Sequence, residues 1–264
     1  MRIGVSVDGK TLKETKIVQT PKEFNQGIQT IKQVADEISE GEKIEAVAGG
    51  TAGPLDNEKT TSVASPHLPD WNNKPLKTDL EKIFNCRVIL ENDAYVSGIG
   101  EAVKGAGAGQ KVVAYIAIGT GVGGKRIVDG KIYADEFNFE PGHQIIVING
   151  DPCTCGGKGH LETYVSGSYF EKKYGKKGEE ISDPQVWNEI IKYLAVGLTN
   201  TIVHWSPDIV VLGGAVMKSI SLDTVNLYLK EFLTIYPNQP EIVKAMLGDL
   251  AGLYGGLTIL KTRV

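Results

Sequence analysis

Residues 111–133 read KVVAYIAIGTGVGGKRIVDGKIY. An apolar stretch is followed by a glycine-rich turn, by a second strand-like stretch and by an Asp-Gly pair that is typical of a hairpin turn. The apolar stretch has the length of a buried strand, and the glycine turn after it presents backbone N–H groups that suit phosphate oxygens. Because glycine turns after strands are common, this segment by itself indicates a type of fold and not yet a function.

Strand-like and helix-like stretches alternate on both sides of this segment. Apolar runs predict buried strands at KIEAVAGG, RVILENDA and DIVVLGGAV, while MRIGVSV and TKIVQ flank an Asp-Gly turn and predict a hairpin. The helical spacing of apolar residues predicts helices over 21–41, 76–84, 161–172, 184–205 and 222–233. This alternation indicates an α/β fold with mainly parallel sheets that are covered on both faces.

A stretch rich in glycine and alanine, KGAGAGQK at 104–111, separates two α/β series. It predicts an N-terminal lobe over 1–106 and a C-terminal lobe over 107–264, with a cleft between them. The chain of 264 residues is long enough for two lobes, and 41% hydrophobic with 23% charged residues is an ordinary balance for a protein with a buried core.

Charge, apolar runs and cysteine content exclude several classes of protein. A net charge of −4 and a pI near 5.7 argue against a nucleic-acid-binding role. No apolar run reaches the roughly 18 residues of a membrane-spanning helix, and the first residues lack the layout of a signal peptide. Three cysteines, an odd number, argue for a reducing compartment. We therefore expect a cytoplasmic protein that binds neither nucleic acid nor membrane.

One short loop, CTCGGKGH at 153–160, holds two of the three cysteines. Four ligand-type residues lie within 18 positions: His143, Cys153, Cys155 and His160. Two thiolates and two imidazoles are the ligand set of a closed tetrahedral zinc site, and the glycines of the loop would let the chain turn back to the ion. A redox pair is the weaker interpretation because that chemistry uses CxxC. A loop with buried thiols and an unrelated histidine is the remaining alternative.

Other polar residues and glycines stand at strand ends or beside this loop. The strand RVIL ends in ENDA, where Asp93 could accept a proton from a hydroxyl group or could cap the next helix. Glu140 and Glu162 flank the cysteine loop and would face inward only if zinc folds that loop over a cleft; otherwise they are surface groups. Gly213 and Gly214 form a second glycine turn at the carboxyl end of a strand, where α/β proteins bind ligands.

The order of these motifs resembles the ROK family of sugar kinases. ENDA, GTGVGG, ExGH, CxCGxxGxxE and a glycine pair at a strand end follow one another as in that family. SPHLPDW at 65–71 is similar to the family's SPNLPxW sugar loop, and AMLGDLAGLYGG at 245–256 is similar to its C-terminal signature. The resemblance covers nearly the whole chain, and it implies a two-lobed, actin-like (ribonuclease H-like) ATPase fold that closes on ATP and a hexose.

The resemblance also implies roles for individual residues. Asp93 would be the general base that takes the proton of the sugar's 6-hydroxyl group as that group attacks the γ-phosphate of ATP. The sugar would be bound by Asn92, Asp93, His67, Glu140, His143 and Glu162. The phosphates would contact Gly119, Thr120 and Gly121, and the adenosine would contact Gly213 and Gly214. Mg²⁺ would accompany ATP, and a structural Zn²⁺ would hold the sugar-binding loop through His143, Cys153, Cys155 and His160.

Three departures from the family pattern matter. His160 stands where the family has the third cysteine of CxCGxxGC, which is compatible with a Cys2His2 site. His67 replaces the asparagine of SPNLP, where it would change which sugar epimers fit or would have a structural role. The family's first strand with its DxGGTK phosphate loop has no counterpart, because MRIGVS aligns best with the family's second strand.

The sequence thus supports two functions. The first is ATP-dependent phosphorylation of a hexose at its 6-hydroxyl group. The alternative is a catalytically impaired sugar-binding relative, since the missing loop would supply an aspartate for Mg²⁺ and N–H groups for phosphate. A repressor role would need a helix-turn-helix that this sequence does not show, and a catalytic zinc ion would need an open coordination position. Relatives suggest a homodimer, and the motifs do not fix the hexose.

Overall fold

The computed structural model describes residues 1–65, 68–132 and 139–262. In chain order the strands are β1 (Arg2–Val5), β2 (Glu14–Ile17), β3 (Ala46–Thr51), β4 (Arg87–Asn92), β5 (Val112–Ile118), β6 (Val122–Val128), β7 (Lys131–Ile132), β8 (Ile209–Gly213) and β9 (Glu241–Lys244). The α-helices are α1 (Phe24–Ile38), α2 (Leu76–Phe84), α3 (Asp93–Lys104), α4 (Glu162–Val165), α5 (Gly167–Tyr174), α6 (Pro184–Trp205), α7 (Leu222–Phe232) and α8 (Ala251–Thr262).

The chain forms two compact units. Unit 1 consists of Met1–Gly105 and Leu247–Val264, and unit 2 consists of Ala106–Met246. The chain first passes from unit 1 to unit 2 between Gly105 and Ala106, inside the glycine- and alanine-rich stretch at 104–111 that predicted a boundary. The prediction that 107–264 forms a single lobe needs correction at its end, because α8 returns to unit 1 and packs against α3 there.

Unit 1 contains two two-stranded sheets among its described residues. Strands β1 and β2 form the predicted hairpin, and its turn is stabilised by Asp8, whose carboxylate accepts the N–H groups of Lys10 and Thr11 at 2.7 and 2.8 Å. Strands β3 and β4 run parallel, with Thr51 opposite Asn92 at their carboxyl ends. The end of β4, which carries the ENDA motif, therefore lies beside the double glycine of β3.

The helices of unit 1 bury their apolar faces against these strands. The predicted spacing in α1 holds, because Phe24 and Ile28 are buried in one cluster with Leu80 of α2 and Leu90 of β4. On α8, Gly255 and Gly256 face these neighbours: a Cβ on Gly255 would overlap the carbonyl oxygen of Val96 in α3, and one on Gly256 would lie 3.4 Å from that of Ala48 in β3. Unit 1 is thus a layered α/β structure in which β4 leads directly into α3.

Unit 2 contains a five-stranded sheet in the order β7-β6-β5-β8-β9. Strands β5, β8 and β9 run parallel to one another, whereas β6 is antiparallel to both of its neighbours, β5 and β7. The expectation of mainly parallel sheets is therefore wrong for the part of the sheet formed by β5, β6 and β7. The reason is local, since the turns at 119–121 and 129–130 are too short for the crossover that parallel neighbours require.

Helices α5, α6 and α7 form one core with β5 and β8. Its fully buried side chains include Phe170, Leu194, Leu212 and Leu229. The single helix predicted over 161–172 is divided into α4 and α5 at Ser166, whose side chain caps α5 by accepting the N–H of Tyr169 at 3.3 Å. Among the described residues, none of the helices combines the length and the apolar character that crossing a bilayer requires.

Candidate functional site

The carboxyl end of β4 places Asn92 and Asp93 at the start of α3 in unit 1. Asn92 caps this helix, because its side-chain oxygen accepts the N–H groups of Ala94 and Tyr95 at 3.1 and 3.3 Å. Its side-chain nitrogen donates to the carbonyl oxygen of Gly53 at 3.3 Å. The sequence left open whether Asp93 is a helix cap, and the structure gives that role to the residue before it.

Asp93 is the first residue of α3, and its Oδ1 accepts the N–H of Ala94 at 2.8 Å. Burial raises the pKa of the Asp93 carboxyl above its ordinary value of 3.8, and the hydrogen bond from Ala94 opposes this rise. Asp93 is nevertheless exposed, so solvent still reaches the residue. A carboxylate that is both accessible and partly desolvated is suited to accept a proton.

An ion pair between half-exposed Lys59 and buried Glu91, which was not predicted from the sequence, supports this strand end. Glu91 is 2% exposed, and its Oε1 lies 2.5 Å from the ammonium group of Lys59. The same ammonium lies 5.4 Å from the centre of the Tyr95 ring. Lys59 reaches Glu91 from a tight turn in which its φ is +54°. The two carboxylates of ENDA drew attention to Glu91 in the sequence, but its partner Lys59 lies 32 residues away, so the ion pair could not be predicted from spacing.

The loop that resembles a sugar loop is anchored through its described residues. Trp71 is buried, donates its indole N–H to the carbonyl oxygen of Pro21 at 3.2 Å and packs edge-on against Phe24. Asp70 accepts the N–H of Phe24 at 2.9 Å. The loop is therefore fixed to the start of α1. His67, the predicted sugar ligand in this loop, lies outside the described residues.

In unit 2, the turn formed by Gly119, Thr120 and Gly121 follows β5, as predicted. Its own closing bond runs from the N–H of Gly119 to the carbonyl oxygen of Gly121 at 2.9 Å. The start of α5 holds it, because Gly167 and Ser168 donate to the carbonyl oxygens of Gly119 and Thr120 at 2.7 and 3.1 Å. A Cβ on Gly119 would meet no atom within 4 Å, so this side of the turn is open.

Glu162 lies directly against this turn. Its Oε2 accepts the N–H of Val122 at 2.8 Å, and a Cβ on Gly121 would come within 2.5 Å of the same oxygen. In the sequence, Glu162 stands beside the cysteine loop and shows no link to the glycine turn. The structure joins the two motifs, since Glu162 follows the cysteine loop and its side chain contacts the turn.

The second glycine turn lies beside the first. Strands β5 and β8 are parallel, with Ala117 opposite Gly213, so their carboxyl ends meet at one edge of the sheet. Gly214 has a φ of +94°, and a Cβ there would overlap the carbonyl group of Ile118. A Cβ on Gly213 would come within 2.6 Å of the Tyr115 hydroxyl oxygen. The predicted phosphate and adenosine positions are thus neighbours at the sheet edge where α/β proteins bind ligands.

The four predicted metal ligands converge in unit 2. The ligand atoms of His143, Cys153, Cys155 and His160 all lie within 4.8 Å of one another. Nδ1 of His160 is 3.4 Å from Nδ1 of His143 and 3.3 Å from Sγ of Cys155, and Sγ of Cys153 is 3.9 Å from Nδ1 of His143. Tetrahedral zinc with nitrogen and sulfur ligands has ligand–ligand edges of about 3.3–3.8 Å. This group could hold a metal ion, and its donors fit zinc.

The backbone of the cysteine loop is fixed by its own hydrogen bonds. The N–H of Cys153 donates to the carbonyl oxygen of Gly157 at 2.8 Å, and Gly159 has a φ of +67° at a position where a Cβ would overlap the carbonyl oxygen of Val147. Burial acts to raise the pKa of the Cys153 thiol, but hydrogen bonds from the backbone N–H of Cys155 and from the side chains around it lower this pKa to about 7. A thiolate is therefore accessible near neutral pH, as a metal ligand requires.

Glu140 lies at the surface before the short turn Pro141–His143. It lines a cavity of about 460 Å³ in unit 2, together with Phe139, Pro141, Gln144, Ile145, Asn200, Thr201, His204 and Trp205. The lining includes neither His143 nor Glu162. This cavity alone therefore does not bring the predicted sugar-binding residues of unit 2 together.

Comparisons with known proteins agree with the motifs. The sequence profile of the ROK family matches residues 2–263. The glucokinase of Thermotoga maritima is 28% identical over 302 aligned residues, which cover 98% of this chain and 93% of that protein. The match therefore extends over almost the full length of both proteins.

Two solved structures are similar in three dimensions. A ROK hexokinase from Thermus thermophilus superposes with a TM-score of 0.87 and 27% identity, covering 97% of this chain and 93% of that one. A ROK family glucokinase from Streptomyces griseus, in complex with glucose and AMPPNP, superposes with a TM-score of 0.75 and 28% identity, covering 97% and 94%. The predicted fold class, the actin-like ATPase fold of sugar kinases, is confirmed.

Proposed function

Because the chain belongs to the ROK family, we propose that it catalyses the ATP-dependent phosphorylation of a hexose at the 6-hydroxyl group. The observation that carries this proposal is the arrangement at one edge of the unit 2 sheet. Two glycine turns meet there, one with its open side free of protein atoms, and Glu162 contacts that turn. Such an edge suits a nucleotide, and the carboxylate beside it suits a sugar hydroxyl group.

Asp93 is the general base of the proposed reaction. Its carboxylate accepts the proton of the 6-hydroxyl group while the hydroxyl oxygen forms a bond to the γ-phosphorus of ATP. The bond between that phosphorus and the bridging oxygen breaks, and ADP leaves with the bonding electrons. A general base of this kind contributes about 10²–10⁴-fold in rate, and positioning of the phosphoryl group supplies most of the remainder.

The remaining predicted residues bind the two substrates. Ring hydroxyl groups accept or donate hydrogen bonds at Asn92, His67, Glu140, His143 and Glu162. The turn of Gly119, Thr120 and Gly121 contacts the phosphates, and Gly213 and Gly214 pack against the adenosine. Mg²⁺ bound to ATP would neutralise charge on the phosphates. A homodimer stays a prediction.

Zinc is proposed as a structural ion held by His143, Cys153, Cys155 and His160. Four protein ligands fill a tetrahedral site, so the ion would fix the loop and would have no open position for a substrate. The loop leads through Leu161, which is 1% exposed, into Glu162. Holding the loop would therefore hold the residue that contacts the glycine turn.

The proposal is tested by incubating the purified chain with Mg-ATP and single hexoses: glucose, mannose, fructose and N-acetylated hexosamines. Mass spectrometry of the sugar is expected to show the gain of one phosphoryl group with at least one hexose, and NMR is expected to place it on the 6-oxygen. Calorimetric titration of the same hexoses measures binding independently. Hexose binding without any phosphorylated product would replace the proposal with the alternative, a sugar-binding protein impaired in phosphoryl transfer.

A further inference from the structure

We propose that Glu162 is a positioning residue for the phosphate-binding turn and thereby raises nucleotide affinity in the absence of sugar. This inference rests on the proposed function and adds to it, because the sequence assigned Glu162 to the sugar alone. The phosphate-binding turn is the segment Gly119–Val122 at the end of β5.

The contact between Glu162 and the turn is specific. Oε2 of Glu162 accepts the N–H of Val122 at 2.8 Å, and Val122 is 4% exposed. A buried N–H group that loses its acceptor carries the full cost of desolvation, so the turn would rearrange to regain a partner if the carboxylate were removed. The contact needs only Oε2, which leaves Oε1 able to accept a hydrogen bond from a sugar hydroxyl group.

The other bonds of the turn do not replace this one. Gly167 and Ser168 of α5 bind the carbonyl oxygens of Gly119 and Thr120, which fixes the acceptor side of the turn. A phosphate would contact the N–H groups of the turn, and Glu162 accepts the next N–H along the chain, that of Val122. Glu162 therefore sets the direction in which the backbone leaves the turn and enters β6.

The backbone of Glu162 is itself well placed for this role. It begins α4, directly after the buried Leu161, whose N–H donates to the carbonyl oxygen of Gln144 at 3.0 Å. The side chain thus projects from a fixed point, and a side chain fixed in this way orders the group it binds at little further entropic cost.

Charge and positioning predict opposite effects for the loss of Glu162. A carboxylate near a polyphosphate repels it, so a purely electrostatic role would make nucleotide binding tighter when the charge is removed. Loss of the acceptor for Val122 would instead make it weaker. The conservative variant separates the two effects, since Glu162→Gln removes the charge and keeps an oxygen that can accept the N–H.

The test is calorimetric titration of the purified chain with Mg-AMPPNP in the absence of sugar. We expect Glu162→Ala to raise Kd about tenfold, as the loss of one hydrogen bond to a buried group implies, and Glu162→Gln to stay within about threefold of the wild type. Metal content and thermal unfolding are measured on each variant, so that a folding defect is recognised.

A second pair of variants leaves Glu162 in place. Gly121→Ala would put a methyl group 2.5 Å from Oε2 and push the carboxylate away from Val122, and it is expected to weaken binding in the same way. Gly123→Ala is the control, because its Cβ would meet no atom within 4 Å. If Glu162→Ala does not fold, weaker binding by Glu162→Gln than by Gly123→Ala would not be expected, and unchanged or tighter binding by Gly121→Ala would still overturn the positioning role.

The outcomes separate the inference from the proposed function. A wild-type chain that binds no nucleotide contradicts the proposed function itself. A wild-type chain that binds Mg-AMPPNP, with Glu162→Ala or Gly121→Ala binding it equally or more tightly, overturns the positioning role alone.

Discussion

At the scale of single residues, Asn92 and Asp93 show how two adjacent polar residues divide their tasks. Either residue type can cap a helix, and the choice depends on the position at which the helix begins. In this chain α3 begins one residue later than Asn92, so the amide side chain caps it and the Asp93 carboxylate projects from the first turn. The sequence identifies the two residues but does not determine which of them begins α3, because a helix start shifts by one residue at small energetic cost.

The raised pKa of Asp93 predicts the pH dependence of the reaction. Asp93 must be ionised to accept a proton, so kcat/KM is expected to fall as the pH falls through its pKa, which burial places above 3.8. The acidic limb of the kcat/KM profile should be absent from the residual activity of Asp93→Asn. An identical acidic limb in that variant would assign the titration to another group.

The raised pKa of Asp93 also makes the stability of the folded chain depend on pH: activity is expected to fall at low pH, whereas the contribution of Asp93 to stability is greater there. Since folding raises this pKa, protonated Asp93 favours the folded chain, and that contribution is lost as the pH rises through the folded-state pKa. Asp93→Asn is therefore expected to raise Tm at neutral pH relative to the wild type. The gain should disappear at a pH below the ordinary value of 3.8. A lower Tm for Asp93→Asn at neutral pH would contradict this account of the residue.

His160 is the other informative single residue, because the family pattern has cysteine there. Its Nδ1 lies 3.3 Å from Sγ of Cys155 and 3.4 Å from Nδ1 of His143, which are distances between ligands of one ion. We expect elemental analysis to find about one zinc ion per chain in the wild type and in His160→Cys, and a marked loss in His160→Ala. Cys86→Ser, which changes the free cysteine outside the cluster, should keep its zinc. Equal zinc content in His160→Ala would mean that His160 is not a ligand.

At the scale of elements, the structure differs from the sequence prediction most clearly at α8. Glycine is unfavourable inside a helix, and the segment AGLYGGLTIL contains three glycines, so no helix was predicted there. The packing of α8 against α3 explains why glycines stand in these helices. A Cβ on Gly255 would overlap the carbonyl oxygen of Val96, and one on Gly100 would overlap that of Ala251. Glycine permits a close approach between α3 and α8, and tertiary packing overrides the helical propensity.

This close approach can be tested with two alanine substitutions. Gly100→Ala is expected to lower the free energy of unfolding by about 1–3 kcal/mol, because the added methyl group would overlap the backbone of α8. Gly252→Ala, near the start of α8, is the matched control. Its methyl group would have only the Ser97 hydroxyl oxygen nearby, at 3.8 Å, and alanine should leave stability unchanged or raise it by about 0.5 kcal/mol. Urea unfolding measures both; equal stability of the two variants would contradict the packing role of Gly100.

Other elements followed from the sequence because local patterns determine them. Helices α1, α2, α6 and α7 have apolar residues at helical spacing, and α6 begins with Asp183 as its cap, followed by proline. The interruption between α4 and α5 was not predicted; Ser166 caps α5, and the first residues of that helix donate to the carbonyl oxygens of the glycine turn. Short contacts between distant segments decide such details.

At the scale of the whole molecule, the chain leaves unit 1 once and returns to it. At the point of return, the N–H of Leu247 donates to Oε1 of Glu101 at 2.7 Å, and Glu101 is fully buried in α3. The boundary near residue 105 was predictable from composition, because glycine and alanine interrupt the pattern of buried strands and helices. The return was not, since Gly248 at that point is one of several glycines in the C-terminal segment and does not by itself mark a change of unit.

The motifs of the candidate site were predictable for a related reason. The metal ligands and the two glycine turns each lie within a short stretch of one unit, where spacing restricts geometry. The contact of Glu162 with Val122 joins residues 40 positions apart, and the pair of Lys59 with Glu91 joins residues 32 positions apart. Contacts of that kind depend on the packed structure, and sequence spacing alone does not predict them.

The central claim is that this chain transfers a phosphoryl group to a hexose with Asp93 as the base. The most direct test is the initial rate of ADP release from Mg-ATP, measured with and without the hexose that binds most tightly, for the wild type and Asp93→Asn. We expect hexose-dependent release in the wild type and a fall of kcat by about 10²–10⁴-fold in the variant, with the hexose still bound. Equal rates in the two proteins, or no hexose-dependent release in the wild type, would contradict the claim.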